Sequence, residues 1–193
     1  MNTSIKVDIE WKPFFLNPHL REPEDLSAHL LKKYGQEAVS RYLQPDNPLS
    51  DAGAKTIPPI TFARDRKIYD TRITHALFEY VKEKAGNEQA NALMVQLFER
   101  YFEKAEDITD ARVLKEALSA SNLSHDLYNE MIVDKDSRME QVEQIEQMLK
   151  QQYRVRGVPF FVIERKDGEK PFGISGAQPV DILEECLLDA NVD

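Results

Sequence analysis

Residues 153–179, YRVRGVPFFVIERKDGEKPFGISGAQP, carry the clearest structural pattern in this chain. The continuous apolar run PFFVI, residues 159–163, is typical of a strand covered on both faces. Asp167-Gly168 favours a tight turn, and the run PFGIS that follows predicts a second, shorter strand. Pro179 suits the first turn of a final helix. The stretch therefore predicts a β-hairpin and then a helix, with Val158-Pro159 at the entrance of the hairpin.

The composition is that of an acidic globular protein with a single cysteine. The 193 residues include 25 lysines and arginines against 34 aspartates and glutamates, a formal charge of −9. This balance repels nucleic-acid backbones and anionic membranes, so neither is an expected partner. The first residues lack the apolar core of a signal peptide. A lone Cys186 excludes an internal disulfide and fits a reducing compartment, so we expect a cytoplasmic protein.

The N-terminal segment IKVDIEW, residues 5–11, alternates strictly between apolar and polar residues. Ile5, Val7, Ile9 and Trp11 would lie on one face, and the charged residues on the other. Period-two alternation with β-branched residues predicts a half-buried strand. Pro13 would end it, because proline cannot donate to a strand ladder.

Helical periodicity fills the middle of the chain. Asp70-Thr71, Asp110 and Ser124 are candidate N-caps of three of these helices. The apolar stripe that runs through Phe98 to Phe102 is predicted to be core. Residues 44–61 are rich in proline and predict a long loop. Apolar residues at helical spacing predict helices in six segments: Leu26 to Tyr34, Ile73 to Val81, Leu93 to Phe102, Val113 to Leu118, Met139 to Leu149, and Ile182 to Leu187.

The order of elements is strand, helical block, hairpin and helix. We therefore expect an α/β fold in one domain, residues 1–193. Residues 5–18 and 153–193 would form the sheet-bearing part, and residues 24–152 an inserted helical region.

Four short motifs resemble one family. IEWKPFFLNP (9–18), DTRITHAL (70–77), GVPFFVI (157–163) and FGISGAQP (172–179) are similar to the DsbA-like thioredoxin-fold oxidoreductases of the FrnE branch. Related branches are the 2-hydroxychromene-2-carboxylate isomerases and the kappa-class glutathione transferases. The resemblance covers about residues 7–187. It implies a thioredoxin-like, DsbA-type sheet with an inserted helical domain.

The resemblance also implies that the sheet is incomplete at its N-terminal side. Family members begin with one more strand, which ends in Cys-Pro-Trp-Cys, whereas this chain begins at their second strand. No residue of this chain is therefore predicted to be catalytic. One interpretation is an incomplete version of a longer protein that starts at an internal methionine. The other is a degenerate domain retained as a binding surface.

By the same resemblance, the Val158–Pro159 bond would be cis and the Val158 backbone would pair with a peptide or with glutathione. Ser175, Gly176 and Gln178 would contact a carboxylate of the ligand, and Asn17 and Pro18 would border the same cleft. The Val158–Pro159 bond could instead be an ordinary trans bond at the start of a strand, and the other two segments could be ordinary turns. Thr71 is interpreted as a cap and His75 as a packed or partly exposed histidine. Cys186 is interpreted as a core cysteine on an apolar helical stripe, and the 4 histidines show no metal-ligand spacing.

The predicted function is that of a thiol-disulfide oxidoreductase family protein that is catalytically incomplete as given. One alternative is a non-catalytic peptide-binding or chaperone-like module, and another is a glutathione-dependent isomerase or transferase relative. The expected partner is a protein or peptide thiol or disulfide, with glutathione as a second candidate ligand. Exposed strand edges would also allow homo-oligomers to form.

Overall fold

The computed structural model of the chain describes residues 6–165 and 168–190. The described chain divides into two compact units: a hairpin unit, Met1–Leu16 with Glu143–Asp193, and a helical unit, Asn17–Val142. The elements in chain order are β1 (Glu24–Asp25), α1 (Leu26–Tyr34), α2 (Gln36–Leu43), α3 (Pro48–Ala54), β2 (Lys67–Ile68), α4 (Arg72–Ala85), α5 (Asn87–Phe98), a π-helical turn (Glu99–Glu103), α6 (Ala111–Ala120), α7 (Asp126–Met131), a 3₁₀ turn (Ile132–Asp134), α8 (Lys135–Tyr153), β3 (Phe160–Ile163), β4 (Phe172–Ser175) and α9 (Val180–Ala190).

The core of the helical unit lies between α4, α5, α6 and α7. Its largest side chains come from the predicted apolar stripes, and Leu77, Leu93, Leu114 and Leu118 are fully buried in one cluster. Asp110 caps α6 by accepting hydrogen bonds from the backbone N–H groups of Arg112 and Val113, which satisfies donors that the helix leaves free. The predicted helices and the Asp110 cap are confirmed, whereas the N-cap of α7 is His125 and not the predicted Ser124.

The predicted long loop at residues 44–61 is wrong in part, because it contains α3. Asn47 caps this helix through its side-chain oxygen, which accepts from the N–H groups of Leu49 and Ser50, and Pro48 occupies the first helical position. Proline is favoured there, since the first N–H of a helix has no intrahelical acceptor. The Asn-Pro pair was therefore a helix-start signal inside a proline-rich stretch. The sequence patterns also did not predict α2 or the two-residue ladder between β1 and β2.

The predicted core stripe from Phe98 to Phe102 is also wrong in part. Phe98 remains 40% exposed, and the π-helical turn that follows buries Arg100 instead. A π turn inserts a residue into the helical repeat and so rotates later side chains to a new face. Arg100 Nη1 donates to Glu106 at 2.6 Å and to Glu116 at 3.1 Å.

The hairpin unit contains the antiparallel pair of β3 and β4, in register Phe160 with Ser175 through Ile163 with Phe172. Both predicted strands are confirmed. The prediction that the first strand is covered on both faces is wrong, because Phe161 and Val162 are 37% and 38% exposed. Asp167 of the predicted turn lies outside the described residues.

The predicted strand at residues 5–11 does not form over its described part, residues 6–11, which has no regular secondary structure. Val7, Ile9 and Trp11 are each at least 40% exposed. Alternation of apolar and polar residues alone does not determine that a strand ladder forms. Among the described residues β3 pairs only with β4, and β1 only with β2.

The chain after residue 11 is anchored to α8. The buried Glu146 carboxylate accepts a hydrogen bond from the Phe15 N–H at 2.7 Å and pairs with Lys150 at 2.5 Å. The Lys150 ammonium also lies 4.7 Å from the centre of the Phe14 ring. Phe15 is buried, whereas Leu16 is exposed. The first part of FFLNP, up to Phe15, is therefore packed within the hairpin unit.

Candidate functional site

The loop before β3 is joined to the end of β4 by one backbone hydrogen bond. The Val158–Pro159 bond is cis, the isomer expected from the sequence. The Pro159 carbonyl accepts from the Gly176 N–H at 2.9 Å. Gly176 has φ +85°, in the region that glycine adopts without the steric cost that a Cβ atom brings. The structure thus brings Val158 and Pro159 next to Ser175 and Gly176, with four residues of the predicted site in one place.

The register shows which backbone groups of β3 face outward. The hydrogen bond between Pro159 and Gly176 marks these residues as a hydrogen-bonded pair, and such pairs alternate along an antiparallel ladder. Phe161 and Ile163 therefore direct their N–H and C=O groups at β4. Phe160 and Val162 direct theirs away from it. We call this row of backbone groups the outer edge of β3, and no other described strand pairs with it.

The side chains beside the outer edge are apolar and accessible. Val158 is 51% exposed, and Phe161 and Val162 are also exposed. The Phe160 ring lies directly over Gly173, where an added Cβ atom would approach the ring to 2.6 Å. The close approach of the ring to the hairpin therefore depends on glycine at 173.

The connection from β4 to α9 uses its own polar groups internally. Gln178 Nε2 donates to the Ser175 carbonyl at 2.9 Å, and the Gly176 N–H is already bonded to Pro159. In this arrangement two of the donors predicted to contact a ligand carboxylate stabilise the hairpin terminus instead. The sequence pattern could not show this, because both bonds depend on the local turn geometry.

Asn17 and Pro18 lie in the helical unit, where they form a turn closed by the Leu20 N–H on the Asn17 carbonyl at 3.0 Å. The Pro18 carbonyl accepts from Arg72 Nη2 at 2.7 Å. Arg72 is buried and also pairs with Asp70 at 2.7 Å. Arg72 is part of DTRITHAL, but the sequence does not predict its contact with Pro18, because the two residues are far apart in the chain. Thr71 is the cap residue of α4 but makes no side-chain cap bond.

Cys186 is a free, partly buried cysteine on α9, and it is the single cysteine of the chain. Among residues 6–165 and 168–190, no group of three or more histidine, cysteine or acidic side chains could hold a metal ion. No helix in this described part is long and apolar enough to cross a membrane.

Comparison with known proteins identifies the family of the chain. The model of the DSBA-like thioredoxin domain matches residues 2–188. No curated protein matches the chain.

Proposed function

The chain belongs to the DSBA-like thioredoxin domain family, and on this premise we propose that it binds extended segments of thiol- or disulfide-containing proteins at the outer edge of β3. Its fold is of the DSBA-like thioredoxin type, and the family is one of thiol-disulfide oxidoreductases. Within that family we assign this chain the substrate-holding role and no independent redox turnover.

The observation that carries the proposal is the backbone row of Phe160 and Val162, which faces away from β4 beside the exposed Val158. An extended peptide can add to such an edge as a further strand. Main-chain hydrogen bonds then supply affinity for many sequences. The apolar side chains of the hairpin favour apolar residues at alternate peptide positions.

The count of thiols supports the absence of turnover. Dithiol–disulfide exchange requires one thiolate to attack a disulfide and a second thiol to resolve the mixed disulfide that results. Cys186 can supply only one of these.

We expect the 193-residue chain to leave the rate of insulin reduction by dithiothreitol at its uncatalysed value. The turbidity of the precipitating insulin chains measures this rate. Cys186→Ser should give the same trace as the unmodified chain. An acceleration that disappears in Cys186→Ser would contradict the assignment and identify Cys186 as a redox-active residue.

We expect Val162→Pro to weaken the binding of an extended peptide by about tenfold, because proline removes the outward N–H of residue 162 and one backbone hydrogen bond contributes up to about 1.5 kcal/mol. Proline is tolerated where its missing N–H faces away from the ladder. Fluorescence anisotropy would measure the affinity with a short labelled peptide of alternating valine and threonine and a central cysteine.

The matched control is Val162→Thr, which keeps both the N–H and the branched Cβ and should bind as the unmodified chain does. Near-ultraviolet circular dichroism would verify that both variants keep the native hairpin unit. Equal affinity of Val162→Pro and Val162→Thr would disprove binding at the outer edge. Displacement of the peptide by glutathione at equal concentration would favour a glutathione site instead.

A further inference from the structure

A second concave site lies entirely within the helical unit. It is a cavity of about 240 Å³ between the chain before β1, the start of α4 and the first turns of α8. Arg21, Tyr69, Ile73, Lys135 and Met139 are among its lining residues. Pockets for drug-sized ligands measure about 300–1,000 Å³, so this cavity suits a smaller molecule.

Two cationic side chains line the cavity without a carboxylate partner in the described part of the chain. Arg21 Nη1 donates to the carbonyls of Pro18 at 2.8 Å and Leu20 at 2.9 Å, which fixes the guanidinium. Its Nε and Nη2 make no hydrogen bond to any described residue. No described acidic group lies within 4.0 Å of the Lys135 ammonium either, although Asp134 and Asp136 adjoin it in sequence.

The acidic group of the cavity is already neutralised. Asp70 pairs with Arg72 Nη1 at 2.7 Å and accepts the Arg72 N–H at 3.2 Å. Only 9% of the Arg72 side chain is exposed, so this pair is held in place. Arg21 and Lys135 are therefore the two lining charges without a paired partner, while the Asp107 carboxylate lies next to the cavity, bonded to the lining residue Thr109.

The remaining lining combines a hydrogen-bond donor with apolar surface. Burial, together with the nearby Asp107 carboxylate, raises the pKa of Tyr69. The phenol is protonated at neutral pH, as that of an ordinary tyrosine is, and can donate. The Thr109 hydroxyl donates to Asp107 at 2.6 Å, so its proton is not available to a ligand. Ile73 and Met139 supply apolar contacts.

We propose that this cavity binds a small organic monocarboxylate with a compact apolar body. The free Nε and Nη2 of Arg21 can donate to both oxygens of one carboxylate, a geometry that favours planar anions. Lys135 adds a second positive charge, and the Tyr69 hydroxyl adds a further donor. Ile73 and Met139 would contact the apolar body. This site is independent of the outer edge of β3, so either can fail without the other.

The probe is benzoate, titrated into the full chain with benzamide as its neutral isostere and inorganic phosphate as a non-planar anion. We expect benzoate to bind and benzamide to bind at least about tenfold more weakly, since hydrogen bonds between charged groups are about twice as strong as neutral ones. In methyl NMR spectra benzoate should shift the signals of Ile73 and Met139. This readout needs no variant and tests the location directly.

Arg21→Gln should weaken benzoate binding by about twofold to fivefold, and Lys135→Gln by a smaller factor, because both side chains are exposed and exposed ion pairs contribute up to about 1 kcal/mol. Arg41→Gln is the matched control, because Arg41 is 73% exposed at a position outside the cavity, and it should not change the affinity. Lys135→Gln keeps the test valid if Arg21→Gln does not fold, since the Lys135 side chain is exposed and forms no hydrogen bond or ion pair with a described residue.

Three results would overturn the proposal. Equal affinities for benzoate and benzamide would show that charge is not recognised. Unchanged binding in both cavity variants would place the ligand elsewhere. Tighter binding of phosphate than of benzoate would assign the cavity to inorganic oxyanions.

Discussion

Leu93→Ala is expected to lower the free energy of unfolding of the helical unit by about 2–5 kcal/mol. The Leu93 side chain is fully buried in the cluster formed by α4, α5, α6 and α7. Its truncation removes apolar surface from the core and leaves a cavity that the packed helices cannot fill completely. Urea unfolding followed by far-ultraviolet circular dichroism would measure the change.

Val95→Ala is the matched control on the same helix. Val95 is 62% exposed, so its truncation should change the free energy of unfolding by no more than about 0.5 kcal/mol. Similar losses in the two variants would mean that α5 does not present the face described here. In that case the apolar stripe of the sequence would not define the core.

Glu106→Ala combined with Glu116→Ala is expected to destabilise the helical unit by about 3–5 kcal/mol, the cost of an uncompensated buried charge. The Arg100 side chain is 10% exposed, and both of its carboxylate partners would be absent. Its Nε already lacks a hydrogen-bond partner. The same urea titration measures this effect.

Arg100→Met should cost much less, below about 2 kcal/mol. The carboxylates of Glu106 and Glu116 are 27% and 42% exposed, so water can solvate them once the guanidinium is gone. Methionine fills the space of the arginine stem and removes the unpaired Nε. If Arg100→Met is instead the more damaging change, the ion pairs contribute net stability and the buried charge is not the dominant cost.

The helices could be predicted from sequence wherever local signals agreed with the final packing. The stripe Val113, Leu114, Ala117 and Leu118 is buried as expected, and Asp110 caps its helix. In such segments the periodicity and the cap both agree with the tertiary packing, so the helix predicted from local signals is the one that forms.

The failures occur where a non-local contact or a backbone irregularity decides the structure. Residues 6–11 alternate as a strand should, but strand formation depends on a ladder partner elsewhere in the chain. The π-helical turn at Glu99–Glu103 changes the helical register, and no local pattern specifies which residues it brings inward. The burial of Arg100 therefore could not be expected from an apolar stripe.

Only part of the candidate site could be predicted from the sequence. The hairpin, with Val158-Pro159 close to Ser175-Gly176, follows from a short-range pattern, and the structure has it. The outer edge of β3 follows only once the register is known. Arg72 and the cavity cations were missed because their roles arise from contacts between segments distant in sequence.

The location of Trp11 makes tryptophan fluorescence a probe of the hairpin unit. This residue is the single tryptophan and belongs to the hairpin unit, whereas every tyrosine except Tyr153 lies in the helical unit. Selective excitation of the indole therefore reports on one unit alone, and far-ultraviolet ellipticity mainly on the helices of the other. Two denaturation curves recorded in parallel from one sample can then tell whether the units melt together or in sequence.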